Sequence, residues 1–117
     1  MIDKDETLIK SQWTGTAPLL SICCSVYNHE MYIEETLDSF LMQETTFPFE
    51  IIVRDDCSTD QTASLIKKYE KKYPQIIKPI YETENLYSKG VAPFASCLSQ
   101  AMGQYIAICE GDDYWED

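Results

Sequence analysis

Glu110, Asp112 and Asp113 surround a single glycine, Gly111, directly after an apolar run. Acids packed this closely are costly unless a cation or hydrogen-bond donors compensate them, because like charges oppose one another's ionisation. The glycine lets the chain turn tightly enough for two carboxylates to face one ion. All-oxygen ligands with open coordination positions suit Mg or Mn, with water and phosphate oxygens filling the remaining places. Spacing alone fits a solvated acidic turn equally well, so position has to decide. Two other polar pairs stand where they could join such a site: Tyr27-Asn28 and Asp55-Asp56, each also following an apolar run.

The elements that must position these groups follow from periodicity. Leu19 to Val26 is a nearly continuous apolar run of the kind found in buried parallel strands. Between His29 and Gln43, the residues Ile33, Leu37, Phe40 and Leu41 share one helical face. Phe49 to Arg54 reads as a second strand. Ser58 with Gln61 could then form a capping box opening a helix, whose buried stripe is Ala63, Ile66, Tyr69 and Tyr73 and whose stop is Pro74. Ile76 to Tyr81 is a short third strand, and Pro79 gives it an edge position. A helix is expected over Val91 to Met102, with Phe94, Leu98 and Ala101 inward and Gly103 as its C-cap, followed by a fourth strand from Tyr105 to Cys109.

This alternation predicts an α/β fold, a three-layer sandwich with a mostly parallel sheet and right-handed crossovers. In such sheets ligands bind beyond the carboxyl ends of the strands, at the point where strand order reverses. Tyr27, Asn28, Asp55, Asp56, Glu110, Asp112 and Asp113 all fall at those ends, which favours the metal reading of the acidic turn. Residues 1–17 lack a sustained period and are expected to form an arm outside the core, with Trp13 docking back; residues 18–117 form the domain.

Composition narrows the partners. Nine Lys and Arg against twenty Asp and Glu give a net charge of −11, which repels nucleic acid and anionic membrane surfaces. A nucleotide diphosphate fits this balance only with a divalent cation bridging carboxylates to phosphates. Five cysteines without a Cys-x-x-Cys pair, and a single histidine, argue against a disulfide framework and a structural zinc site. With an acidic N-terminus and no apolar run of membrane-spanning length, the expectation is a soluble, cytoplasmic protein.

Five blocks then carry a resemblance: Ser25-Val26-Tyr27-Asn28-His29-Glu30, Ser39 to Gln43, Val53 to Thr62, Gly103-Gln104-Tyr105-Ile106, and Glu110-Gly111-Asp112-Asp113-Tyr114-Trp115. In order and spacing they resemble the family 2 glycosyltransferases of GT-A fold, a Rossmann-like nucleotide-diphospho-sugar transferase architecture, over residues 19 to 117. The resemblance implies sugar transfer from a nucleotide diphosphate sugar, UDP favoured, to an acceptor hydroxyl of a glycan or lipid-linked acceptor. It further implies inversion, and a setting in polysaccharide or cell-surface glycan synthesis, with peripheral membrane association compatible with a longer protein. Tyr27 and Glu30, with Asn28 between them, stand where the family lines its nucleobase and ribose pocket. Asp55 or Asp56 stands where a carboxylate accepts a hydrogen bond from uracil. Asp112 and Asp113 match the Asp-x-Asp carboxylates that hold metal and contact ribose, with Glu110 at the motif's first acidic position.

The chain also departs from that pattern. Val26 replaces a proline, Cys57 stands where glycine is common, and the usual Arg-Asn pair is missing between Asn85 and Met102, leaving Lys89 as the candidate phosphate contact. The catalytic base is expected beyond Asp117, so the chain reads as the N-terminal, donor-binding half of an enzyme, truncated after its metal motif and inactive alone. His29 reads as a surface or capping residue, Cys24 and Cys109 as packing residues, Trp115 as a packing residue, and Lys67, Lys68, Lys71 and Lys72 as a solvated helix end. The alternatives are a non-catalytic nucleotide-binding or interaction module and a receiver-type Mg-binding phospho-acceptor domain.

Overall fold

The computed structural model describes residues 2–110. Four parallel strands, β1 (Leu20–Val26), β2 (Phe49–Asp55), β3 (Ile77–Tyr81) and β4 (Tyr105–Glu110), form one sheet in the order β3-β2-β1-β4. The strand order runs outward from β1 to β3 and then returns to place β4 on β1's other side. The reversal point therefore lies between β1 and β4, where a doubly wound sheet opens a ligand crevice. Pro79 lies on the edge strand β3, where a missing N–H costs no ladder bond on the open side.

Alternation along the strands separates two faces. Ile22, Cys24 and Val26 of β1 and Phe49, Ile51 and Val53 of β2 pack in one core with α2 (Ile33–Leu41) and α3 (Thr62–Lys72). Ile33, Leu37, Phe40 and Leu41 are fully buried there, as the periodicity required; each large apolar side chain so buried contributes about 2 kcal/mol. The opposite face is smaller and more polar: Cys23 and Ile52 meet Cys97 of α4 (Ala95–Gln100). It is flanked by polar groups, Ser21 Oγ donating to Glu50 Oε2 at 2.6 Å at the amino ends and Arg54 at the carboxyl ends.

Three local expectations are corrected. Residues 2–17 do not stand outside the core: α1 (Glu6–Lys10) brings Ile9 into it, and Glu6 Oε2 accepts from the backbone N–H groups of Gln75 and Ile76, while Trp13 docks back as expected, meeting Phe49 edge-on. Short helices without a long period escape pattern reading because tertiary contacts stabilise them. Secondly, α3 begins at Thr62 and Ser58 does not cap it; Asp60 Oδ1 instead accepts from the Thr62 N–H at 2.9 Å. Thirdly, α4 is shorter than the apolar spacing suggested, Cys97 is its buried residue, and Leu98 is exposed. Gly103 is a close-approach glycine and not the cap, since a Cβ there would stand 2.7 Å from the Ser21 backbone nitrogen. Among the described residues no helix is long and apolar enough to cross a membrane.

Candidate donor site

Parallel register carries β1, β2 and β4 to the same end of the sheet: Ser25 lies beside Arg54 on one side and Glu110 on the other. Beyond this row a cavity of about 330 Å³ opens, lined by Ser25, Val26, Tyr27 and His29 from β1 and its loop. Asp56, Tyr87, Pro93, Phe94 and Glu110 complete its wall. A larger cavity of about 550 Å³ lies at the opposite end of the strands, against Trp13, Pro18 and Pro48, away from this polar convergence.

The loops after β1 and β2 are tied together. Asn28 donates its backbone N–H to Ser58 Oγ at 2.9 Å, and its side-chain Oδ1 accepts from the Thr59 N–H at 2.8 Å. Glu30 Oε2 accepts from the Gln61 N–H at 3.1 Å, while Asp60 Oδ2 accepts from the Glu30 N–H at 3.3 Å. His29 N–H donates to Thr62 Oγ1 at 2.9 Å. Two residues sit in the left-handed region to close these turns, Asn28 with φ 52° and Cys57 with φ 60°. Asparagine tolerates that region, and cysteine at a position where glycine is usual costs about 1–2 kcal/mol, so the loop keeps a glycine-like backbone at some strain. The hydrogen bonds from Thr62 and Glu30 outweigh the raising effect of partial burial and hold the Asp60 carboxyl below its ordinary value.

The two neighbouring aspartates do different things. Asp55 turns toward its own loop, accepting from the Ser58 hydroxyl and, at 3.3 Å, from the Ser58 N–H. Asp56, 3% exposed, lines the cavity. Its Oδ1 accepts from Arg54 Nη2 at 2.9 Å and from the Leu86 N–H at 2.8 Å, and its Oδ2 from the Tyr87 N–H at 3.1 Å.

Of the residues singled out in the sequence, Tyr27, Asp56 and Glu110 are therefore brought to one cavity, whereas Asn28, Glu30 and Asp55 brace its loops. Lys89 pairs with Glu84 at 2.6 Å on an exposed surface and is not part of the cavity wall. Asp112, Asp113 and Trp115 lie outside the described residues. His29, read from sequence as a surface or capping residue, lines the cavity, with its Nδ1 buried and lacking a hydrogen-bond partner. Its signal was its place in the loop after the first strand, beside Tyr27. Arg54 was missed altogether, because an arginine at the end of an apolar strand reads as the strand's solvent exit.

A model of the family described as "Glycosyl transferase family 2" matches residues 21–117. The chain belongs to glycosyl transferase family 2. Among sequence relatives, it is 50% identical over 99 residues to Rv1520 of Mycobacterium tuberculosis, a match covering 84% of this chain and 28% of that protein. Among solved structures, residues 1–349 of Staphylococcus aureus TarS in complex with UDP superpose with TM-score 0.68 at 37% identity, covering 81% of this chain and 28% of that one. TarS is named as a poly(ribitol-phosphate) β-N-acetylglucosaminyltransferase. A mannosyltransferase from Pyrobaculum calidifontis, in complex with GDP-Man and Mn2+, superposes with TM-score 0.73 at 28% identity, covering 87% and 30%. The family 2 chain thus spans under a third of the length of each of these matches. Membership removes the receiver-type alternative, whose flavodoxin-like order places β1 between β2 and β3, unlike the β3-β2-β1-β4 order here.

Proposed function

We propose that this family 2 chain is the donor-binding half of a metal-dependent glycosyltransferase that moves a sugar from a nucleotide diphosphate sugar, with UDP favoured, to an acceptor hydroxyl with inversion. The observation that carries the reading is the convergence of Tyr27, Asp56 and Glu110 on one cavity at the sheet's reversal point. The UDP held by the TarS neighbour supports it.

Each residue has a distinct task in this reading. The half-exposed Tyr27 ring offers a face for the base. Asp56 accepts a hydrogen bond from a ring N–H, a group that uracil and guanine both present, in keeping with the UDP and GDP-Man of the neighbouring structures. Asn28, Glu30 and Asp55 hold the loops that carry these groups. Lys89 is the weaker candidate for phosphate contact, since Glu84 already occupies it.

No group of three metal-ligating side chains occurs among the described residues. Glu110 lies in the cavity wall and leads directly into Asp112 and Asp113, and this all-carboxylate set fits a hard divalent cation, Mn or Mg. When bound, the ion supplies charge neutralisation of the diphosphate as it leaves. This chain's residues bind and orient the donor. The acceptor half, with its base, belongs in this reading to a longer protein that uses a glycan or lipid-linked acceptor at a cytoplasmic or membrane-peripheral site; the poly(ribitol-phosphate) in the name of TarS supports a surface polymer as the kind of acceptor.

Calorimetry of UDP on the full chain tests the proposal. Binding is expected with Mn or Mg, loss is expected in chelator, and Asp113→Ala is expected to abolish the metal dependence. Equal affinity with and without chelator would overturn the metal assignment, and no UDP binding under any condition would overturn the donor assignment.

A further inference from the structure

Arg54 is among the largest fully buried side chains, at 1% exposure, on the α4 face of β2. Enclosing a guanidinium is expensive, and an apolar residue of similar volume would fill the same space as well or better, so packing alone does not account for it. Its partners give a reason. Nη2 donates to Asp56 Oδ1 at 2.9 Å, Nε to Glu82 Oε1 at 3.3 Å, and Nη1 to Ser25 Oγ at 3.1 Å and to the Pro93 carbonyl at 2.9 Å.

Those bonds fasten a strap. Glu82 begins the segment that leaves β3, Pro93 ends it, and Asp56 grips its middle through the Leu86 and Tyr87 N–H groups. The strap brings Tyr87, Pro93 and Phe94 to the cavity wall. A carboxylate offers about four acceptor positions. Arg54 and Leu86 take those of Asp56 Oδ1, Tyr87 takes one on Oδ2, and a single position on Oδ2 is left for a group in the cavity.

We infer that Arg54 is a specificity-positioning residue. By fixing Asp56 and the strap around it, the guanidinium leaves one acceptor position directed to the nucleobase, and so selects bases with a ring N–H, uracil or guanine, over cytosine and adenine, whose ring nitrogens accept. The inference rests on the donor reading above and adds the device that sets base choice. Lysine carries the charge but not the planar fork, so it cannot hold Asp56, Glu82 and Pro93 together.

The test compares UDP, CDP and inorganic pyrophosphate binding to the full chain with Mn present, for the unaltered chain, Arg54→Lys and Arg54→Gln. The expected result is a loss of about tenfold or more in the UDP-over-CDP preference, the scale of one charge-assisted hydrogen bond, with pyrophosphate affinity within about twofold. Parallel loss of all three ligands, or an unchanged preference, overturns the inference while leaving the donor reading intact. Should the single variants fail to fold, the charge-neutral pair Arg54→Gln with Asp56→Asn is measured beside Asp56→Asn alone. Equal UDP-over-CDP preference in the two supports action through Asp56, and a further tenfold difference between them overturns it. Absence of UDP binding by the unaltered chain under any condition, with Mn or without, removes both readings.

Discussion

At the scale of single residues, the site is a division of labour between neighbours. Asp55 and Asp56 are adjacent in sequence and equally buried, yet one is spent on Ser58 and the other on a strap of backbone amides. Asn28 shows the same logic: both ends of its amide are bonded to Thr59, and its φ of 52° is one that alanine adopts poorly. Asn28→Ala is expected to lower the free energy of unfolding by about 2 kcal/mol, from two lost hydrogen bonds plus left-handed strain. Urea denaturation checks this, with a lower midpoint at unchanged slope as the expected signature. A midpoint within error of the unaltered chain would mean that the loop tie contributes nothing to the fold.

Among elements, the decisive contact is between β1 and the turn that enters β4. Gly103 donates its N–H to Ser21 Oγ at 2.8 Å, Glu50 Oε2 accepts from the Met102 N–H at 2.8 Å, and the missing Cβ lets the two backbones approach. A methyl group there would meet backbone atoms, which cannot rotate away. Gly103→Ala is therefore expected to cost about 2–3 kcal/mol, the range of overpacking at a tight contact. The effect should be visible as a fall in thermal midpoint, and because β4 delivers Glu110, as weaker Mn-dependent nucleotide binding at temperatures where the variant stays folded. Full stability in the variant would show that the turn moves aside without cost.

For the molecule as a whole, the two sheet faces are unequal, and thiol chemistry reports that inequality. Cys23, Cys24, Cys97 and Cys109 are buried, and burial, with smaller contributions from neighbouring groups, pushes the Cys97 thiol up to about 12. Cys57 alone is part exposed. Labelling of the native chain with a thiol-specific disulfide reagent near neutral pH is expected to give one fast thiol, lost in Cys57→Ser, with the other four reacting at the rate of global opening. Additional fast labelling at Cys23 or Cys97 would mean that the α4 face opens locally, and at Cys24 or Cys109 that the opposite face does.

The sequence by itself determined the α/β class, the four strands in their order along the chain, the buried stripe of α2, and the polar strand ends that make the site, because periods of 2 and 3.6 and the turn residues are local properties. It also carried the family, through five spaced blocks. What only the tertiary structure decided is how those ends meet. Strand order put β1 between β2 and β4, which brought Tyr27, Asp56 and Glu110 from three separate polar strand ends into one cavity wall. Hydrogen bonds between segments distant in sequence separated Asp56 from Asp55, drew Asn28 and Glu30 into bracing the loops, and docked residues 2–17 on the core. Arg54 was illegible for the same reason: its meaning lies in Ser25, Glu82 and Pro93, at sequence separations of 29, 28 and 39, and no local pattern encodes partners that far away.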